Sequence, residues 1–459
     1  MMRAHFVGIG GVGMSGIAKI LLKMGHQVSG SDLVRNDKIV GLEELGARIT
    51  IGHNAANLGD AEIVVASTAI PKDNIELVSA HQRGIPVISR AQMLGRLMAN
   101  HRGIAVSGTH GKTTTTSMIS MILTTAGLNP TVAIGGEVGD LGSNAVYGSG
   151  DIMVAEADES DGSFLELPCH TAVVTNIDSE HMDYYKDLDH ILASFHRFLE
   201  QLPDDGAAVV CTDCPNVKKL VERTSKPVIT YGLTGEPDIS AKMVHLMGLG
   251  STFDVFLGRE YYGTFELSVP GKYNVVNALA AIATARRYGV PKERIFEALR
   301  NFHGAKRRFE ILGMKDDVLV VDDYAHHPTE IRSVLTAAKE LDRRVVAVFQ
   351  PHRYSRTKFF LTDFASAFAD ADVVVLTDIY PAFEAPIPGI SGQLLATETA
   401  KYHNHVIYAG HHQGVVGALR EVRQPGDLVI VMGAGDIRKV GEQFLLDDAA
   451  SVQAAASGR

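Results

Sequence analysis

The sequence predicts an α/β protein of three domains: a Rossmann-like N-terminal domain, a P-loop ATPase-like central domain with added antiparallel strands, and a Rossmann-like C-terminal domain. Three observations predict it. A chain of 459 residues exceeds one ordinary core and suits about three domains at ~150 residues each. Short β-rich runs alternate with helical patterns in three successive blocks, which implies parallel, doubly wound sheets. Two glycine-rich turns, GIGGVG (8–13) and GTHGKT (108–113), each follow an apolar run and open into a helical pattern.

The first block, residues 1–101, carries the strand candidates AHFVGI (4–9), QVSGSD (27–32), ARITI (47–51), EIVVAST (62–68) and PVISR (86–90). The second, residues 102–303, begins with GIAVSG (103–108) and continues through DIMVAEADE (151–159) and TAVVTNID (171–178). Its stretch FDVFLGREYYGTFELSV (253–269) reads as antiparallel strands appended to the sheet, before a helix over 272–289. The third, residues 304–459, offers DVLVVDD, RRVVAVFQ, DVVVLTD, HVIYAG and DLVIVMG as strands, and its last residues, 447–459, read as a frayed tail.

With 46% apolar and 21% charged residues the chain buries sizeable cores and lacks the composition of a disordered protein. A net charge of -10 offers no general attraction to nucleic acid or to an anionic membrane, so any phosphate must be held locally. No signal-peptide pattern opens the sequence, and no apolar run approaches the ~18 residues that span a bilayer. The expectation is a cytoplasmic protein without membrane insertion. Three cysteines fit a reducing compartment, and Cys211 and Cys214, lacking a second pair, read as the end of a strand rather than a metal site. A homodimer is left open.

In a phosphate-holding loop, backbone N–H groups and the start of the next helix face an anion while a lysine adds charge. Lys112 would meet the β- and γ-phosphates and the Thr113 hydroxyl a Mg²⁺ ion. The common spacing needs glycine at 106, where Val106 stands, so GTHGKT is a variant. The alternative is a glycine turn that only starts a helix. Downstream, VAEADESDGS (154–163) ends a strand in Glu156, Asp158, Glu159 and Asp161, suited either to Mg²⁺ or to a solvated loop. VVTNIDSEHMDYY (173–185) places His181 and Asp183 just past the next strand, and His181 reads as a second metal ligand or a surface histidine.

Gly8, Gly10 and Gly13 match the dinucleotide fingerprint, and Asp32 closes the following strand. NAD is one candidate ligand and any nucleotide diphosphate another. A nicotinamide oxidoreductase would leave the second phosphate loop unexplained. A regulatory ATP-binding protein would leave unexplained the cluster of Tyr324, His326, His327, His352, Arg353 and Arg356, all placed just after third-block strands. Arginines there could clamp a carboxylate. Arg307 and Arg308 could reach nucleotide phosphates or tether the linker.

In their order, GIGGVGMSGIA, GSD, SGTHGKTTTT, EADESDGSFL, TNIDSEHMDYY, PGKYNVVNALAAIA, KRRFE, DDYAHHPTEI and FQPHRYSRT resemble the Mur ligases of bacterial peptidoglycan synthesis, over roughly residues 3–445. The resemblance implies an ATP-dependent ligation of L-alanine to the lactyl carboxylate of UDP-N-acetylmuramate through an acyl phosphate. It implies that the first domain holds the UDP-sugar, not NAD, through Gly10, Gly11, Gly13, Ser31 and Asp32. ATP would meet Gly108, Thr109, His110, Gly111, Lys112, Thr113, Thr114, Asn274, Asn277 and Arg308, with a first Mg²⁺ on Thr113 and Glu156 and a second on His181. Tyr324, His326, His352, Arg353 and Arg356 would form the amino-acid pocket. Lys112, His181, Asp323 and His326 would act in catalysis, the group that takes the amine proton being left open. Tyr273 and Ala305 depart from the family's usual residues without removing a ligand. The acidic strand end and Tyr324 favour alanine over a murein tripeptide as acceptor.

Overall fold

The computed structural model describes residues 1–138, 143–182 and 184–446. Asp183 and the expected tail at 447–459 lie outside the described residues. Three sheets organise the chain. The first is five-stranded and parallel, ordered Arg48–Ile51, Gln27–Asp32, Arg3–Val7, Ile63–Ala66 and Val87–Ser89, so all five expected strands are present. Arg3–Val7 is central, and the chain leaves it toward one edge and later returns to the other. Its carboxyl end, which carries GIGGVG, is therefore the switch point where such sheets bind ligands.

The second sheet has ten strands. Arg102–Ser107 lies at its heart, parallel to Thr171–Val174 on one side and to Ile152–Glu156 on the other. The phosphate loop that leaves Arg102–Ser107 is thus flanked by the segments that follow both neighbours. Thr131–Val138 and Ser143–Val146 were not expected from the sequence and complete one edge. At the other end, Ile239–Met247, Gly250–Leu257 and Glu260–Leu267 follow one another through two-residue turns, which permit only antiparallel pairing. The third sheet has six strands, five of them parallel and matching the sequence reading. The sixth, Glu310–Lys315, was not expected; it pairs antiparallel with Val318–Asp323 across Asp316 and Asp317, both at positive φ as a tight hairpin requires.

By contacts the chain divides into two compact units. One comprises Met1–Met243, Phe253–Glu266 and Val275–Ala305, the other Val244–Thr252, Leu267–Asn274 and the chain from Lys306. In the first unit a continuous apolar core runs from Phe6, Ile17 and Leu21 through Met93 and Leu97 to Phe164, Phe195 and Phe198. Gly95, in the helix Arg90–Met98, is required there: a Cβ at this position would meet the Glu166 carbonyl at 2.2 Å. In the second unit both faces of the sheet are covered, one by Leu335, Phe364 and Leu395 and the other by Val415, Leu419 and Val440. Among the described residues no helix is long and apolar enough to cross a membrane.

Candidate active site

The phosphate loop joins the strand Arg102–Ser107 to the helix Lys112–Thr125 through Gly108 at φ 128° and Gly111 at φ 82°, conformations that favour glycine. Threonine and serine are modest helix formers, yet this helix starts KTTTTS. Its hydroxyls are satisfied locally: Thr116, Ser117 and Ser120 donate to the carbonyls four residues earlier at 2.7–2.8 Å. The first-turn N–H groups have no intrahelical partner, which suits this end to an anion.

Lys112 Nζ donates to Gly108 O at 2.7 Å, to Thr109 O at 3.2 Å and to Glu159 Oε1 at 2.9 Å. Burial works against its charge, but Glu159, Asp158 and Glu156 outweigh burial and hold the ammonium above the usual lysine range. Thr113 Oγ1 sits 3.1 and 3.2 Å from the two carboxylate oxygens of Glu156, which also accepts the Gly135 N–H at 2.9 Å. His181 adopts φ 58°, uncommon for a residue with a Cβ, and its Nε2 lies 3.6 Å from Glu159 Oε1 and 3.9 Å from Glu180 Oε2. Burial disfavours its charged form, yet the bond to Glu159 and the charge of Glu180 raise its pKa on balance. Asn277 packs on the loop, since a Cβ at Gly111 would come within 2.6 Å of Asn277 Oδ1.

At the first turn the backbone is held from within. Gly8 and Ile9 N–H groups both donate to Ser31 O, and the Gly10 N–H donates to Asp32 Oδ2 at 2.8 Å. Asp32 is therefore a strut of the glycine turn, and the N–H groups at the start of the helix Val12–Lys23 have no intrahelical partner and no side-chain cap from Gly11. Ser31 is buried and its hydroxyl donates to Glu76 Oε2 at 2.6 Å, so that side chain faces the interior instead of a ligand. Arg90 lies across the turn: a Cβ at Gly13 would meet Arg90 Cδ at 2.9 Å. A cleft lined by Gly13, Arg90, Gly135, Asn144, Glu156 and Asp158 runs from this turn to the acidic strand end. Arg90 carried no sequence motif of its own.

In the second unit, Tyr324, His326 and His352 form a ring series, with centroids 5.2 and 6.1 Å apart, and His352 stacks on Tyr380 at 5.6 Å. Arg356 Nη1 donates to His352 Nδ1 at 3.1 Å. Burial, with His326, Arg356 and Arg353 nearby, brings the His352 pKa down to about 3, so this ring is neutral at pH 7. His326 Nδ1 bonds Tyr324 O at 2.8 Å, which puts a proton on Nδ1. Arg353 starts the next helix at φ 67°. Asp323 is buried; burial raises its pKa to about 7 against the opposing pull of Arg308 and of the N–H groups of Phe309 and Ala325.

Arg307 and Arg308 both lie over the Tyr324 ring, Arg307 at 4.9 Å, and differ in their other partners. Arg307 pairs with buried Asp322 at 3.1 Å and donates to the carbonyls of Gly433 and Gly435, which makes it an internal brace. Arg308 lies over the Tyr324 ring at 5.4 Å and 3.6 Å from Glu330. Asn274 donates to Pro270 O at 2.7 Å. Cys211 is buried, Cys214 half-buried, and both are free thiols.

Family comparisons agree along the chain. Residues 3–102 match the Mur ligase family catalytic domain, 106–285 the Mur ligase middle domain and 307–435 the Mur ligase glutamate ligase domain. A UDP-N-acetylmuramate--L-alanine ligase of Syntrophotalea carbinolica is 50% identical over 440 residues, covering 95% of this chain and 96% of that protein. Its counterpart in Pelotomaculum thermopropionicum is 48% identical over 96% of each. The crystal structure of the UDP-N-acetylmuramate-alanine ligase of Thermotoga maritima superposes with a TM-score of 0.82 at 29% identity, covering 98% of this chain and all of that one. A murein peptide ligase of Psychrobacter arcticus gives 0.69 at 25% identity, covering 97% of this chain and 98% of that one. On the strength of three consecutive domain matches and half-identical relatives spanning nearly its full length, the chain belongs to the Mur ligase family.

Proposed function

We infer that the chain is an ATP-dependent ligase that joins L-alanine to the lactyl carboxylate of UDP-N-acetylmuramate, the first peptide step of the peptidoglycan precursor, in the cytoplasm. The observation that carries this reading is the cleft that leads from the GIGGVG turn to Glu156, beside Thr113 of the phosphate loop, in a chain 50% identical to a ligase of that name. Under it residues 1–101 hold the UDP-sugar, 102–303 the ATP and 304–459 the amino acid. Arg90 and the N–H groups at the start of the helix Val12–Lys23 offer positive charge to the sugar nucleotide's diphosphate.

A carboxylate resists amines because oxide is a poor leaving group, so it is first phosphorylated. A carboxylate oxygen attacks the γ-phosphorus, the bond to the β–γ bridging oxygen breaks, and ADP leaves. The alanine amine then attacks the acyl carbonyl, the C–O bond to phosphate breaks, and the amine loses a proton. Lys112 releases Glu159 to neutralise the transferring phosphoryl group. Asp323, with a pKa near 7, is fit to receive the amine proton, and His326 and His181 keep their implied place as the alternatives. The oxygen donors of Thr113 and Glu156 suit a first Mg²⁺, and the His181 imidazole keeps its implied place on a second; when bound, these ions would neutralise phosphate charge. Asn277, beside Gly111, and Arg308 are assigned to the nucleotide, and Asn274 keeps its implied place near adenine.

The test is ADP release with Mg²⁺, ATP and UDP-N-acetylmuramate, adding L-alanine, L-serine, glycine or murein tripeptide in parallel. Release is expected to require the sugar nucleotide and to be fastest with L-alanine; release with tripeptide alone would make the chain a recycling ligase. One methyl group in a pocket discriminates by only about 1–3 kcal/mol, so slower turnover with glycine and serine is expected. For Arg353→Ala, the KM for alanine is expected to rise about tenfold or more, the worth of a charge-assisted contact, with the KM for ATP little changed. A change confined to ATP would remove Arg353 from the amino-acid pocket.

A further inference from the structure

We propose that Asn176 is a positioning residue for the nucleotide, its side-chain amide clamping His110 so that the phosphate loop keeps its shape when Lys112 turns to ATP. The proposal rests on the reading above, in which this loop holds ATP. The strand Thr171–Val174 runs parallel to Arg102–Ser107, so the residues that follow it arrive alongside the loop. There the contacts are reciprocal. The His110 N–H donates to Asn176 Oδ1 at 2.9 Å, and Asn176 Nδ2 donates back to His110 O at 3.0 Å. Thr175 Oγ1 donates to the same His110 carbonyl at 2.6 Å, the Thr109 N–H donates to Asn176 O at 3.0 Å, and the Asp178 N–H donates to Thr109 Oγ1 at 2.8 Å. The two segments approach so closely that a Cβ on Gly108 would fall 2.2 Å from Thr175 Oγ1 and 2.8 Å from Asn176 O.

These contacts divide the loop's polar groups into two sets. The carbonyls of Gly108 and Thr109 accept from Lys112 Nζ, while the N–H of Thr109 and both polar groups of His110 are held by Thr175 and Asn176. The first set is lost once the ammonium moves to phosphate. The second set survives that movement. A loop with glycines at φ 128° and 82° has many alternative conformations, and ordering it at the moment of binding would be deducted from affinity. By occupying the Thr109 and His110 N–H groups, the clamp also directs the anion to the remaining N–H groups, those at the start of the helix Lys112–Thr125.

The experiment compares wild type with Asn176→Ala and Thr175→Val, measuring steady-state constants for all three substrates and the dissociation constant of a fluorescent ADP analogue. The valine variant is nearly isosteric and removes only the hydroxyl donor, so it serves if the alanine variant folds poorly. For Asn176→Ala, the KM for ATP and the ADP dissociation constant are expected to rise about tenfold, and for Thr175→Val about threefold, with the KM for UDP-N-acetylmuramate within twofold of wild type. Asn176→Gln carries the same groups one methylene further out and is expected not to restore ADP binding, which a merely structural polar requirement would allow. Nucleotide constants unchanged in both Asn176→Ala and Thr175→Val, or equal losses for every substrate, would overturn the proposal. A wild-type chain that binds no ADP would overturn the functional reading and this proposal together.

Discussion

Replacing Lys112 by alanine is expected to lower ADP release by about a thousandfold, while the dissociation constant for UDP-N-acetylmuramate stays within about twofold of wild type. Loss of one preorganised donor to a charge that develops in the transition state costs roughly 10²–10³ in turnover, and the lysine adds a full positive charge to that donor. The Lys112 ammonium is raised above its ordinary range by Glu159, Asp158 and Glu156, so it is charged at any working pH. Its removal also strands Glu159, which is only 2% exposed and faces Lys112 at 2.9 Å. The variant should therefore melt at a lower temperature than wild type, which a thermal melt on the same sample reads. The sugar nucleotide should be indifferent, because the GIGGVG turn and Arg90 hang on a different sheet. Calorimetric titration with UDP-N-acetylmuramate decides: equal loss of binding and turnover would sink the division of labour between the two turns.

The largest effect on stability is expected from Glu76, a fully buried carboxylate in the first unit. It accepts from Ser31 Oγ at 2.6 Å, Asn57 Nδ2 at 2.6 Å and the Asn54 N–H at 3.1 Å, and lies 3.3 Å from His5 Nε2. Burial pushes its pKa up, but the bonds to His5, Ser31, Asn54 and Asn57 outweigh burial and bring it down to about 2. Glu76→Ala leaves four polar groups without their acceptor and is expected to cost about 3–5 kcal/mol, read as a shift in denaturant midpoint at pH 7. The same residue gives a pH dependence of definite sign. Its folded-state pKa lies below the ordinary value of 4.5, so its contribution is present above pH 4.5 and is lost as pH falls toward 2. At 1.36 kcal/mol per pKa unit that contribution is about 3 kcal/mol. Glu76→Gln keeps the volume and removes the titration, so its midpoint should fall less steeply between pH 4.5 and 2. An identical acid slope in both proteins would rule out Glu76 as its source.

Much of this site was legible without coordinates, for a local reason. Strand, glycine turn and helix are contiguous in GIGGVG and GTHGKT, and the carboxylates of EADESD end the strand beside the second turn. Short-range pattern encodes all of these. The third-block cluster was legible too, because strand ends of one parallel sheet point the same way, which is why Tyr324, His326 and His352 meet. Glu76, by contrast, sits 71 residues from His5 and 45 from Ser31, and nothing in its neighbourhood marks it as an interior charge. Asn176 stands in TNID without a local signal, because its partner His110 is 66 residues away.

By itself the sequence determined the alternation of strands and helices, the two glycine-rich turns, the placing of the acidic strand end and the family. Each depends on periodicity or on residues within a few positions of one another. Only the tertiary structure decided that Asp32 braces Gly10, that Ser31 faces inward to Glu76, that Arg307 pairs with Asp322 while Arg308 faces Glu330, and that Asn176 bonds His110 of the glycine turn. Those choices follow from which polar groups lose water together when distant segments pack, because a buried donor or acceptor must take whatever partner the neighbouring strand end delivers.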